Sequence, residues 1–280
     1  MENGLVISSS SGLYNVLFDK EILQLKARGI VKQSNEILAG DRVEFDPDFA
    51  VIEKIQTRKN SLIRPKIANL DLVVLVTSIV QPNLNLGLLD RQLITLTEQK
   101  IETILYFSKI DLASPEEIVF LNQIKEGYRK IGYQIVEIED EITNYFGEDK
   151  IGVVMGQTGV GKSSLINKII TDADQKTNEI SQALSRGKHT TRQTELIKFG
   201  NGWLADSPGF SSFEVFNMKA KDLQNYFPEF VKYRSDCRFA DCQHINEVDC
   251  KIKEEVGANI MSSRYRNYCD FYQLIKEKSL

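Results

Sequence analysis

Nine residues, GQTGVGKSS at 156–164, constrain this chain more than any other stretch. The apolar run IGVVMG at 151–156 leads into them, and KSSLINKII continues with helical apolar spacing. A strand, a glycine-rich turn and a helix in that order predict a phosphate-binding loop. Gly156, Gly159 and Gly161 let the backbone turn tightly. The amide N–H groups of Gly156, Gln157, Thr158, Gly159, Val160 and Gly161 can then converge on phosphate oxygens. The helix that begins at Lys162, Ser163 and Ser164 adds its positive end. Lys162 is expected to reach the β- and γ-phosphates and to stabilise charge on a transferring phosphoryl group, and the Ser163 hydroxyl to bind Mg²⁺.

Two further stretches belong to the same chemistry. LADSPGF at 204–210 ends an apolar strand and contains D-x-x-G. Asp206 is expected to hold a water of the Mg²⁺ ion, and the Gly209 amide to meet the γ-phosphate. Between loop and D-x-x-G lies SRGKHTTRQTE at 185–195, polar and threonine-rich, which suits a switch in which Thr190 or Thr191 closes on Mg²⁺. Upstream of the loop, Ser108-Lys109-Ile110-Asp111 looks like a guanine-reading N-K-x-D motif with serine in place of asparagine. Asp111 can accept from the guanine N1–H and 2-amino group, and adenine offers neither contact. Lys109 can lie along the base. The motif comes before the phosphate loop, the reverse of the usual order.

Around these motifs the chain alternates. NLDLVVLVTSIV, IETILYF, YQIVEIE and IGVVMG read as strands; DRQLITLTEQK and PEEIVFLNQIKEGYRKIG read as helices, the second capped by Ser114 with Pro115 at its first position. Alternation of this kind predicts a mostly parallel α/β sheet. Residues 3–55 hold instead five short strand-like runs, LVISS, LYNVLF, ILQLKA, DRVEF and AVIEKI, separated by turn residues, which predict a small all-β barrel. Tyr14 and Phe18 with Lys26, Arg28 and Lys32 give that barrel an aromatic and basic content suited to RNA. TRKNSLIRPK at 57–66 carries four cations and no acid, although the net charge of the chain is −4. No apolar run is long enough for a membrane span, and MENGLVISSS lacks the features of a signal peptide, so a cytoplasmic protein is expected.

The third chemical feature is C-x₄-C-x-H-x₅-C, formed by Cys237, Cys242, His244 and Cys250. Three thiolates and an imidazole make a closed tetrahedral set, the pattern of a structural Zn²⁺ site with no position left for water. Cys269 stands outside it. Nearby aromatic residues suit a small core, and Arg264 and Arg266 beside Tyr265 and Tyr268 are candidates for RNA contact.

Together, RKNSLIRP at 58–65, SKID, GQTGVGKSS, RGKHTTR at 186–192, DSPGF and the Cys/His spacing resemble the circularly permuted, ribosome small-subunit-dependent GTPase A family of bacteria. The resemblance covers nearly the whole chain. It implies an oligonucleotide-binding barrel with a basic linker at 1–66, a permuted P-loop GTPase domain at 67–216 and a mainly helical zinc-binding domain at 217–280. It also implies hydrolysis of GTP stimulated by the small (30S) ribosomal subunit during late maturation, contact with 16S rRNA, one Zn²⁺, and Mg²⁺ with GTP or GDP. A monomer is expected. In Ras-type enzymes a glutamine follows D-x-x-G to orient the attacking water. Here Phe210 stands in that place, so slow intrinsic turnover is expected, and His189 beside Thr190 is the internal candidate for positioning water. The alternative is a nucleotide-gated rRNA-binding scaffold in which hydrolysis is incidental.

Overall fold

The computed structural model describes residues 1–29, 31, 36–176, 194–206 and 218–278. All five expected N-terminal strands form: β1 (Glu2–Ser10), β2 (Leu13–Phe18), β3 (Glu21–Ala27), β4 (Arg42–Asp46) and β5 (Val51–Ile55). They close into a barrel of order β1-β2-β3-β5-β4. Val6, Val16, Leu25, Val43, Phe45 and Ile52 fill its interior, because alternate residues of a strand point to one face. Closure comes through a parallel pairing of β3 with β5, Lys26 opposite Val51 and Ala27 opposite Ile52. A five-stranded barrel closed in this way is of the oligonucleotide-binding type.

The stretch read as a basic linker holds a short hairpin, β6 (Ser61–Ile63) with β7 (Lys66–Ala68). The side-chain amide of Asn60 accepts from the Leu70 N–H and donates to the Leu70 carbonyl, both at 2.8 Å, and so anchors the hairpin base. A six-stranded sheet follows, built from β8 (Leu72–Ser78), β9 (Glu102–Ser108), β10 (Gln134–Val136), β11 (Ile151–Met155), β12 (Glu195–Phe199) and β13 (Gly202–Asp206). Its order is β10-β9-β8-β11-β13-β12. β11 runs parallel to β8 and to β13, and the edge strand β12 is antiparallel to β13. The continuous apolar runs of β8 and β11 are buried almost throughout, as a parallel strand covered on both faces requires.

Three long helices accompany the strands: α1 (Leu86–Glu98), α2 (Pro115–Lys130) and α3 (Lys162–Lys176). α2 begins with a full capping box, in which the Ser114 side chain accepts from the Glu117 N–H and the Glu117 carboxylate accepts from the Ser114 N–H. The run YQIVEIE is strand only as far as Val136. Glu139–Tyr145 then winds as a 3₁₀ helix, whose first turn holds Glu139, Asp140 and Glu141, acids that suit a helix start better than a strand.

The chain forms two compact units, Met1–Val76 with Val136–Ser212, and Thr77–Ile135 with Phe213–Leu280. The second contains the C-terminal segment, made of 3₁₀ turns at Ala220–Tyr226 and Arg234–Asp236 and of α4 (Pro228–Tyr233), α5 (Lys251–Glu255) and α6 (Ser262–Lys278). Leu223, Phe227, Phe230, Ile252, Tyr268, Phe271 and Ile275 form its core together with Ile94 of α1.

Candidate nucleotide and metal sites

The glycine-rich loop lies where the sequence puts it, between β11 and α3 in the first unit. A side chain at Gly156 would bring its Cβ to 2.1 Å from the Val76 carbonyl oxygen, and φ there is +147°, so only glycine fits. The Leu165 N–H donates to the Gly161 carbonyl at 3.0 Å, which starts the helix at the end of the loop. Lys162 Nζ donates to the carbonyls of Gly156 and Gln157, at 2.8 and 2.9 Å. The first two residues of the loop thus hold its ammonium, and burial pulls its pKa below the usual lysine value. Thr158, Gly159, Ser163 and Ser164 are exposed, while Val160 is buried and anchors the turn.

Asp206 is the last residue of β13 and is exposed. It stands directly opposite Glu195 on β12, an acid that the sequence patterns did not single out. Burial, and then the charge of Asp206, raise the Glu195 carboxyl above its ordinary pKa. Like charges facing each other across a ladder repel, and a divalent cation relieves that repulsion. His189, Thr190, Thr191 and Gly209 lie outside the described residues, as do Phe210 and Lys32.

The base motif belongs to the second unit. Ser108 ends β9, is buried, and its hydroxyl donates to the Thr77 carbonyl at 3.4 Å. Lys109 takes a left-handed conformation with φ +57°, which turns the chain sharply out of the strand. Its ammonium donates to the Gln81 carbonyl. A 3₁₀ turn at Ile110–Leu112 then presents Asp111 to solvent.

Cys237, Cys242, His244 and Cys250 come together with all four ligand atoms within 4.8 Å of one another. His244 Nδ1 lies 3.6 Å from Cys237 Sγ and 3.4 Å from Cys250 Sγ, and the two sulfurs are 4.0 Å apart. A tetrahedral Zn²⁺ with ordinary bond lengths puts sulfur and nitrogen about 3.6 Å apart and two sulfurs about 3.8 Å apart. The four residues fit that ion. A disulfide between Cys237 and Cys250 would need about half their separation, and all four cysteines of the chain are free. Burial pushes the Cys242 thiol up to about 12 and His244 down to about 4. Burial favours the neutral thiols of Cys242 and Cys250, and a cation held among these ligands favours their thiolates instead.

The backbone of the knuckle is held by neighbours that no spacing pattern reveals. The Glu247 carboxylate accepts from the N–H groups of Gln243, Ile245 and Asn246, at 2.8, 2.9 and 3.1 Å. The hydroxyls of Tyr265 and Tyr268 donate to the carbonyls of His244 and Gln243, each at 2.8 Å.

One expectation about RNA contact needs correction. Arg264 is fully buried. It forms a two-pronged pair with Glu229, at 2.6 and 3.0 Å, and donates to Asp90 of α1 at 2.6 Å. The Tyr128 hydroxyl and the Asn267 amide also donate to Asp90. Arg264 therefore ties α6 to α1 and α4 and is closed to RNA. In the basic stretch 57–66, Arg58 forks onto Asp41, Lys59 pairs with Asp71 and Lys66 pairs with Glu36. These pairs lie within the first unit, and Lys59 and Lys66 keep about half of their side chains exposed. Arg64, at the hairpin tip, is exposed.

Comparison with known proteins gives a consistent answer. A family model described as RsgA GTPase matches residues 55–216, and one described as RsgA N-terminal domain matches residues 3–50. The chain is 43% identical to the small ribosomal subunit biogenesis GTPase RsgA of Pediococcus pentosaceus, with 99% of this chain and 94% of that protein aligned. It is 43% identical to the protein of the same name from Leuconostoc citreum, with 99% and 96% aligned. Among solved structures it is similar to YloQ, a circularly permuted GTPase, with a TM-score of 0.82 and 33% identity over 99% of this chain and 96% of that one. It is also similar to YjeQ from Thermotoga maritima, with a TM-score of 0.83 and 32% identity over 98% of each chain.

Proposed function

The chain belongs to the RsgA GTPase family, and from that premise we propose that it hydrolyses GTP in response to the small ribosomal subunit, during biogenesis of that subunit. The observation that carries the proposal is the loop at 156–164, set between a buried parallel strand and a helix, with Lys162 held by the carbonyls at its start. The exposed Asp111 supports guanine as the base.

In the proposed cycle Gly156, Gln157, Thr158, Gly159, Val160 and Gly161 offer backbone N–H groups to the phosphates. Lys162 leaves its two carbonyls for phosphate oxygens and stabilises the charge that develops as the γ-phosphoryl group departs. Ser163, Ser164, Asp206 and one of Thr190 and Thr191 complete the phosphate and metal contacts. Mg²⁺, when bound, neutralises charge shared by the β- and γ-phosphates. Ser108, Lys109 and Ile110 shape the base loop and Asp111 reads guanine. Gly209 senses the γ-phosphate, and His189 orients water once the partner has docked. Cys237, Cys242, His244 and Cys250 hold one structural Zn²⁺. We assign residues 1–66 to the barrel and hairpin, 67–216 to the permuted GTPase domain and 217–280 to the zinc-binding domain. The partner surface is 16S rRNA, and the working form is a cytoplasmic monomer.

The test is competition for a fluorescent guanine nucleotide, followed by release from the ribosome. GTP and GDP displace the probe and ATP does not, and Lys162→Ala loses affinity for both guanine nucleotides. A variant that binds GTP but cannot hydrolyse it stays trapped on small subunits. Displacement by ATP at equal concentration would remove the guanine assignment. Release of the hydrolysis-deficient variant at the wild-type rate would leave a nucleotide-gated scaffold instead.

A further inference from the structure

Gln224 lies in the 3₁₀ turn Ala220–Tyr226, twenty residues before the histidine of the knuckle. Its side-chain nitrogen is 3.3 Å from the Lys221 carbonyl and 3.4 Å from the Cys242 carbonyl. Its side-chain oxygen is 2.9 Å from His244 Nε2. An amide nitrogen only donates and a carbonyl only accepts, so the two carbonyls fix which end of the amide faces which way. The oxygen must face His244. That oxygen only accepts, so His244 Nε2 must carry the ring proton. A neutral imidazole with its proton on Nε2 has its lone pair on Nδ1. Nδ1 is the atom that lies 3.6 and 3.4 Å from the sulfurs of Cys237 and Cys250.

We propose that Gln224 is a positioning residue for the metal: it holds His244 as the Nε2–H tautomer with Nδ1 turned toward the ion, and it ties the His244 ring to the backbone of a second ligand, Cys242. Tyr265 and Tyr268 hold the peptide on either side of His244 through carbonyls, but neither touches a ring nitrogen. Among the contacts described here, Gln224 alone sets the proton on the ring. An imidazole already in this form binds Zn²⁺ without losing a proton or rotating. The proposal rests on the reading of the four residues as a Zn²⁺ site.

The experiment uses the full chain and Zn²⁺ itself, with affinity measured by competition against a chromophoric chelator. Wild type binds one Zn²⁺ per chain; if it binds none, the reading of the site itself fails. Gln224→Leu, which keeps the bulk and loses the acceptor, is expected to weaken Zn²⁺ by ~10–100-fold. Gln224→Glu keeps an acceptor at the same place and is expected to stay within a few-fold of wild type. Equal affinity of Gln224→Leu and wild type overturns the proposal, as does equal loss in Gln224→Leu and Gln224→Glu, which would mean that only packing or the carbonyl contacts matter. A second readout needs no folding of a variant. In the Zn²⁺-loaded wild type, nitrogen NMR of His244 is expected to show a protonated Nε2 and a metal-bound Nδ1. A metal-bound Nε2 would contradict the assignment. The chain has only two histidines, which makes the resonance simple to identify.

Discussion

At the scale of single residues, the base motif departs most clearly from its usual form. Ser108 stands where asparagine is ordinary, and its hydroxyl donates to the Thr77 carbonyl at 3.4 Å. An asparagine side chain is longer and carries its donor and its acceptor on separate atoms, so it bridges groups that lie further apart than a single hydroxyl can reach. Ser108→Asn is therefore predicted to tighten GTP and GDP alike by about one net hydrogen bond, ~0.5–1.5 kcal/mol. A nucleotide titration checks this, and unchanged or weaker affinity refutes it. The choice of base is assigned to Asp111 in the proposed cycle. Asp111→Asn replaces an acceptor by a donor at the guanine 2-position, so the variant is expected to lose GTP and to gain xanthosine triphosphate, whose 2-carbonyl accepts. A variant that still prefers GTP would move the base contact away from Asp111. The identity of these residues was legible because a motif is a local pattern. The partners of Ser108 and Lys109 were not, since Thr77 and Gln81 lie about thirty residues earlier in the chain.

At the scale of elements, the buried charges around Arg264 join α1, α2, α4 and α6. Glu229 and Asp90 both pair with Arg264, and none of the three is exposed beyond 2%. Removing one partner leaves a buried charge uncompensated, which costs about 3–5 kcal/mol. Arg264→Leu is expected to lower the unfolding free energy read from urea titration by that amount, while Arg266→Leu, on the exposed side of the same helix, changes it little. Equal stability of the two variants would mean that the buried pairs contribute nothing. The knuckle offers a parallel case. Cys242→Ala is predicted to lose the metal and to loosen the segment from Ala220 to Lys278, and metal analysis with native-state hydrogen exchange reads both. Retained Zn²⁺ with normal protection would contradict it. The barrel strands, the three long helices and the ligand spacing could be read from sequence, since alternation, capping and spacing act within a few residues. The hairpin at 61–68 could not, because three-residue strands carry no period. The Arg264 network was hidden for a different reason. Asp90 and Arg264 are 174 positions apart, and an arginine beside tyrosines looks the same in a core as on an RNA-binding face.

At the scale of the whole molecule, the chain joins three parts: a barrel, a GTPase sheet whose base motif precedes its phosphate loop, and the Cys/His knuckle. The strand order explains how this chain order is compatible with an ordinary nucleotide-binding sheet. β11, with the phosphate loop, lies between β8 and β13, and β9, with the base motif, follows β8. Moving the chain ends changes which strand comes first and leaves the neighbours unchanged. Arg64 at the hairpin tip is exposed, and Lys59 and Lys66 remain about half exposed in their ion pairs. Deleting 1–66 is expected to weaken binding to the small subunit, with guanine affinity little changed; undiminished ribosome binding would take the barrel out of that role. The central claim is that the small subunit stimulates GTP hydrolysis, because the position after D-x-x-G holds Phe210 rather than a group that can hold water. The most direct measurement is steady-state GTP turnover of the Zn²⁺-loaded protein, alone and with purified small ribosomal subunits. Turnover is expected to be slow alone and to rise by orders of magnitude with subunits, within the ~10³–10⁵-fold range that activators reach in GTPases. The same rate with and without subunits would contradict it.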